Sequence, residues 1–256
     1  MKQITNSFMG LFVLLLLSMQ AITQKKQMTW TTKSKAAGEL AQSGSDHMMN
    51  NEFEQAYSDL SAALKLDPNF TVALVMMSTI NTGASRKNYG ERALKSVSGK
   101  TEGEKLFATL ADETISPETT ISTWARLHTM FPDGKMIGYY YVQSRPTPDE
   151  RFQAAQEYIK QFPDEAAMYN SIAYMYMNNK KDNAMAKKNL DKYLAMYPEG
   201  SNPYDSMGEY YLNTGDMENS KKYYTMALEK YPYLNSSVAA LQKMADEKKK
   251  SETTNK

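Results

Sequence analysis

Cysteine is missing altogether from the 256 residues, and histidine and tryptophan occur only twice each. With no thiol there is no disulfide framework, and no cysteine follows the N-terminal apolar run to carry a lipid. The two histidines, His47 and His128, stand far apart. No His-Glu-x-x-His pattern exists, so no set of metal ligands is legible and both read as structural or surface residues. Proline and glycine are sparse, 9 and 12 in all. A β-rich chain of this length would need more of both at its turns, so the composition favours helices. An excess of either charge is absent as well. Without residues 1–23 the chain keeps 29 basic and 29 acidic residues, which argues against nucleic acid as the main ligand.

What is present begins with an export signal. Lys2 supplies the positive start, and Phe8 to Leu17 is an apolar run of ten residues containing one glycine. A spanning helix needs about 20 residues, whereas a signal-peptide core is about this short. Cleavage is expected after Ala21-Ile22-Thr23, with an uncleaved anchor as the alternative. The mature chain then carries no membrane span and no lipid anchor. It is expected to be exported, periplasmic or secreted. Residues 24–34 read as a polar linker and 249–256, with Lys249 and Lys250, as a disordered basic tail.

Between these ends the prolines keep time. Pro68, Pro132, Pro163, Pro198 and Pro232 are separated by 64, 31, 35 and 34 residues, and the long gap is twice 32. One copy has lost its proline near residue 100, where Ser98-Gly99 breaks the chain instead. A period near 34 indicates an array of helix pairs. In the last copy Tyr204, Met207, Gly208 and Tyr211 share one helical face. Thr214-Gly215-Asp216 makes a turn, and Tyr223, Tyr224, Ala227, Leu228 and Tyr231 follow before Pro232. Asn202 is placed to cap the first of these helices, with Pro203 in its first turn. The preceding copy repeats the scheme with Tyr169, Ile172, Ala173 and Tyr176, then Ala186, Leu190, Tyr193 and Pro198. It has one extra residue in its turn, between Asn178 and Asn183. The first copy matches in its second half, with Ala56, Leu60, Ala63, Leu66 and Pro68.

These residues resemble the tetratricopeptide repeat. That family shows Trp-x-x-Leu-Gly-x-x-Tyr, then Ala-x-x-x-Phe, a further Ala and a closing Pro. Tyr204 stands for the Trp, Met207 for the Leu, and Gly208 and Tyr211 for the Gly and Tyr. In the second helix Ser220, Tyr224, Ala227 and Pro232 take the remaining places. The match is specific in three copies and loose in three. Phe107, Ala108, Trp124 and Leu127 sit in the third copy, and the register of Met136 to Val142 in the fourth cannot be fixed. The resemblance implies an all-α, right-handed superhelical stack of antiparallel helix pairs. Six copies are expected between about residues 35 and 232, within a repeat domain of residues 35–248 that ends in a capping helix at 234–247.

The same resemblance implies that the first helix of each copy lines a concave groove. By it Asn170, Tyr174, Met177, Asp205, Glu209 and Asn213 face a ligand, joined by Tyr140 or Tyr141 of the Tyr139-Tyr140-Tyr141 run. The 18 tyrosines and 19 methionines otherwise read as core.

Catalytic patterns are wanting. Gly99-Lys100-Thr101 matches only the end of a phosphate-binding loop, because the place five residues earlier is Leu94, and it reads as a turn between helices. Glu102, Glu104, Glu118, Asp149 and Glu150 suit first turns of helices. The expectation is a non-enzymatic scaffold or adaptor without cofactor or metal, gripping a protein or peptide in the cell envelope. The alternatives are a periplasmic solute or carbohydrate-binding protein with a Tyr-rich cleft, and a spacer whose concave face is filled.

Overall fold

The computed structural model describes residues 26–254. The expected signal segment and its cleavage site lie outside them. Among the described residues there are thirteen α-helices and no strand. They form six consecutive pairs. α1 (Lys35–Met49) pairs with α2 (Phe53–Leu66), α3 (Thr71–Ile80) with α4 (Gly83–Lys95), and α5 (Glu102–Ala108, extended by a 3-10 turn to Ala111) with α6 (Pro117–Met130). Then come α7 (Lys135–Gln143) with α8 (Pro148–Gln161), α9 (Ala166–Met175) with α10 (Asn183–Met196), and α11 (Asn202–Asn213) with α12 (Met217–Lys230). α13 (Asn235–Thr254) closes the stack. It runs through 249–254, where a disordered tail was expected.

Local rules explain most of these boundaries. Ser34, Ser116, Asp182 and Asp216 accept the orphan N–H groups that open α1, α6, α10 and α12. Thr101 with Glu104, and Thr147 with Glu150, form capping boxes at α5 and α8. At the other end a shared turn recurs. Asp67, Phe131, Phe162, Tyr197 and Tyr231 each precede a proline, which disfavours helical backbone at that residue. Each carbonyl then accepts from the N–H three residues on, at 3.1 to 3.3 Å. The proline interval in the sequence is the interval of this turn.

Within a pair, a small residue in the first helix lets the second approach. A Cβ on Gly208 would lie 2.7 Å from the Tyr224 ring, one on Gly44 2.8 Å from Leu60, and one on Gly138 3.0 Å from Tyr158. Gly138 sets the register of the fourth copy, leaving Met136, Ile137, Tyr139 and Val142 buried. The extra residue of the fifth copy is absorbed by a π-helical turn, Tyr176–Lys180, ending at Lys181 in a left-handed conformation.

The expected linker is instead a strap. Residues 26–33 run extended across the proline-side turns of the first three copies. The Lys26 carbonyl accepts the Asp133 N–H at 3.2 Å, and its own N–H donates to the Asp133 carboxylate at 2.8 Å. Thr31 donates to Glu104 from both N–H (2.6 Å) and hydroxyl (2.8 Å), and Thr32 donates to Asp67 at 2.8 Å. Met28 is buried, and Trp30 meets Phe70 edge-on. Glu104, which does stand in the first turn of a helix as expected, is fully buried beneath this strap.

Candidate functional site: a concave cleft and the clasp beside it

Side chains of several first helices supply most of the lining of one cleft and decide what it can hold. Met48 of α1, Thr79 of α3, Tyr139, Tyr140 and Gln143 of α7, and Asn170, Ser171 and Tyr174 of α9 converge on one cleft of about 480 Å³. Phe53 and Arg151 stand at its rim. A smaller chamber of about 200 Å³ adjoins it, sharing Met48, Thr79 and Tyr140. Its walls are mainly apolar, with Val75, Phe107, Trp124 and Met136. Trp124 stacks on Tyr140 at 5.2 Å and meets Phe107 edge-on, so the aromatic floor is continuous between the two spaces.

Above that floor lies a polar wall. Gln143 donates to the Ser171 hydroxyl at 2.8 Å, and Tyr139 lies 3.3 Å from the same oxygen. Asn170 is only 2% exposed, yet its side-chain carbonyl has no partner among the described residues. A buried amide oxygen without a partner costs on the order of 1–3 kcal/mol. Burial raises the Tyr139 phenol and pushes Tyr140 well above its ordinary range, so both are neutral.

Of the eight groove positions expected from sequence, Tyr140, Asn170 and Tyr174 meet at this cleft. Tyr174 also donates to Glu209 at 2.6 Å, which puts Glu209 behind the wall. Tyr141 points the other way, stacking with His128 at 4.3 Å under the Arg145 guanidinium. Met177 is buried in the π turn. Asp205 is buried against the Ser236 and Ser237 hydroxyls, which ties α11 to α13, and burial raises its carboxyl above the usual range. Asn213 is exposed at the end of α11.

Away from the cleft, the first copy is joined to the fifth and sixth by a group that the sequence does not flag. Glu52, in the turn between α1 and α2, is 1% exposed. Its Oε1 accepts the N–H of Ser201 (2.6 Å) and of Asn202 (3.1 Å). Its Oε2 accepts from Tyr197 (2.8 Å) and lies 2.8 Å from His47 Nδ1. The expected cap on α11, Asn202, does not cap it. Ser201 at the N-cap position makes no side-chain cap bond, and Glu52 satisfies the helix start from 149 residues away. Tyr193, also fully buried, donates to Asn50 at 3.0 Å. Burial pushes the Glu52 carboxyl up, but hydrogen bonds from His47, Tyr197, Asn202 and Ser201 carry it below the usual range. The bond to Glu52 raises His47 against its own burial.

The fold is thus an all-α stack of tetratricopeptide type, with a cleft on its first-helix side and its first copy clasped to the junction of the fifth and sixth. Several solved structures are similar in fold. PilW, a widely conserved type IV pilus biogenesis factor, is 13% identical and covers 81% of this chain and 99% of its own, with a TM-score of 0.47. The pilF protein of Pseudomonas aeruginosa is 14% identical over 83% and 98% of the two chains, with a TM-score of 0.43. A thermophilic TPR protein of Thermus thermophilus, TTC0263, is 14% identical over 81% and 98%, with a TM-score of 0.39. No protein-family model and no curated protein matches the chain. Among the described residues no helix is long and apolar enough to cross a membrane.

Proposed function

We propose that this protein is a non-catalytic scaffold of the cell envelope that holds an extended segment of a partner protein in the concave cleft. The observation that carries the reading is the pairing of an apolar chamber with a polar wall holding the unpartnered Asn170 carbonyl. An extended peptide offers what each needs. Its backbone N–H satisfies Asn170, and one apolar side chain enters the chamber beside Trp124 and Met136. The envelope assignment rests on the N-terminal signal pattern, Lys2 followed by Phe8 to Leu17. A sugar ligand would need bare ring faces, and Tyr140 is instead engaged by Trp124 and Tyr139.

The test is selection of peptides from a displayed random library, followed by calorimetry on wild type and on Ser171→Arg, which fills the cleft from its wall. Selected peptides should lose at least tenfold in affinity for the variant. Equal binding to both proteins would overturn the assignment. A thermal shift with oligosaccharides and none with peptides would favour solute capture instead.

A further inference from the structure

A second cleft, of about 530 Å³, lies outside the concave side, where the strap crosses the turns that end the first two copies. Four cationic side chains border it: Lys33 from the strap, Arg92 and Lys95 from α4, and Lys100 from the turn after it. Asp67 is the one acid in the lining. It is buried, and its oxygens are already occupied by the Thr32 hydroxyl and the N–H groups of Lys33 and Asn69. Glu91 pairs loosely with Lys95 at 3.9 Å, with both side chains mostly exposed. Arg92 is fixed by its bond to the Pro68 carbonyl and Lys100 by its bond to the Thr31 carbonyl, so two of the four cations are held at the cleft by backbone. Lys33 has no acidic partner within 4 Å among the described residues. The whole chain carries a net charge of only +1, so this cluster is a local concentration that the average composition hides.

Four cations against the one carboxylate of Asp67 leave an excess of positive charge around this space, and a compact anion bearing more than one charge would offset it. A guanidinium and ammonium groups together, with Ser98 also in the lining, offer directional and point-charge donors to several oxygens at once. We propose that this cleft is an anion site for a phosphate-type oxyanion, borne either on a soluble ligand or on a lipid headgroup. It is not a nucleotide loop, because the turn Ser98-Gly99-Lys100 follows a helix and lacks the leading glycine. The site is independent of the concave cleft.

The test is calorimetric titration of the full chain with pyrophosphate at physiological ionic strength. Lys33→Glu combined with Lys95→Glu reverses two charges that make no structural bond beyond one exposed pair. Lys221→Glu with Lys222→Glu, on exposed α12, is the control, and circular dichroism confirms that both variants fold. Wild type should bind saturably at one site, the first variant at least tenfold more weakly, and the control within twofold of wild type. Absence of saturable binding, or equal loss in both variants, would overturn the site. Flotation with phosphatidylglycerol vesicles but not phosphatidylcholine, abolished by Lys33→Glu with Lys95→Glu, would name the headgroup as the source. Pyrophosphate binding without flotation would name a soluble phosphate. Flotation without pyrophosphate binding would overturn the cleft as the site.

Discussion

Glu52 shows how much one side chain can be asked to hold. A carboxylate taken out of water is costly unless its lone pairs are filled, and here two backbone N–H groups, a phenol and an imidazole fill them. Glu52→Gln, which removes the charge and presents an amide N–H to some of these donors, should destabilise the fold by about 3 kcal/mol, read by urea unfolding. The pH dependence has a definite sign. A lowered carboxyl contributes above its ordinary value of 4.5 and loses that contribution as pH falls through its depressed value. A raised imidazole contributes below 6.5 and loses that contribution as pH rises through its elevated one. The pair is therefore fullest between about pH 4.5 and 6.5. The stability gap between wild type and His47→Gln should narrow as pH rises above that window, and a gap constant to pH 9 would contradict the pairing. None of this was legible in the sequence. Glu52 follows an ordinary Asn-Asn turn, Asn202 looked a sufficient cap by itself, and nothing local links positions 149 residues apart.

At the scale of elements, legibility followed locality. The turns at Pro68, Pro132, Pro163, Pro198 and Pro232 could be read because proline constrains its own neighbour. The degenerate fourth copy could not, because Tyr139, Tyr140 and Tyr141 offer apolar area in three directions. Only contact with Tyr158 identifies Gly138 as the close-approach position. Glycines that are alike in sequence therefore differ in consequence. In the middle of α4, a Cβ on Gly90 would stand 2.4 Å from the Ala111 carbonyl oxygen, which is backbone and cannot turn away. A Cβ on Gly38, in α1, would meet only Thr32 at an ordinary 3.5 Å. Gly90→Ala should cost about 1–3 kcal/mol by overpacking. Gly38→Ala should gain roughly 0.5–1 kcal/mol from helix propensity alone. Thermal melts of the two variants in parallel check both signs.

The molecule as a whole departs from the reading of residues 24–34 as a spacer. The strap is tied at Asp67 and Asp133, in two inter-copy turns, and at Glu104, in the first turn of α5, so it fastens the copies edgewise where sequence suggested only a linker. A chain beginning at Ser34 leaves the buried Glu104 without its two bonds from Thr31. Its melting temperature should fall by about 10 °C, the loss expected from a few kcal/mol in a domain of this size. Trp30 departs with the strap, so the fluorescence of Trp124 then reports the remaining core alone. A chain that melted at the wild-type temperature would show the strap to be ornamental. Composition could not reveal it, since Thr31 and Thr32 are polar residues of the kind that fill linkers, and their partners lie 73 and 35 residues away.

The bond between Glu52 and the start of α11 also fixes how many copies can lie between the two. In an open repeat protein a 34-residue unit can be duplicated or lost and the neighbours simply close ranks. Here the distance from the first copy to Ser201 is spanned through space as well as along the chain. One unit more or fewer between them would carry the helix start out of reach and leave Glu52 with His47 but without its partners on the fifth and sixth copies. The number of copies between α2 and α11 is thus locked, and variation among descendants of this chain should accumulate in its loops and beyond α12.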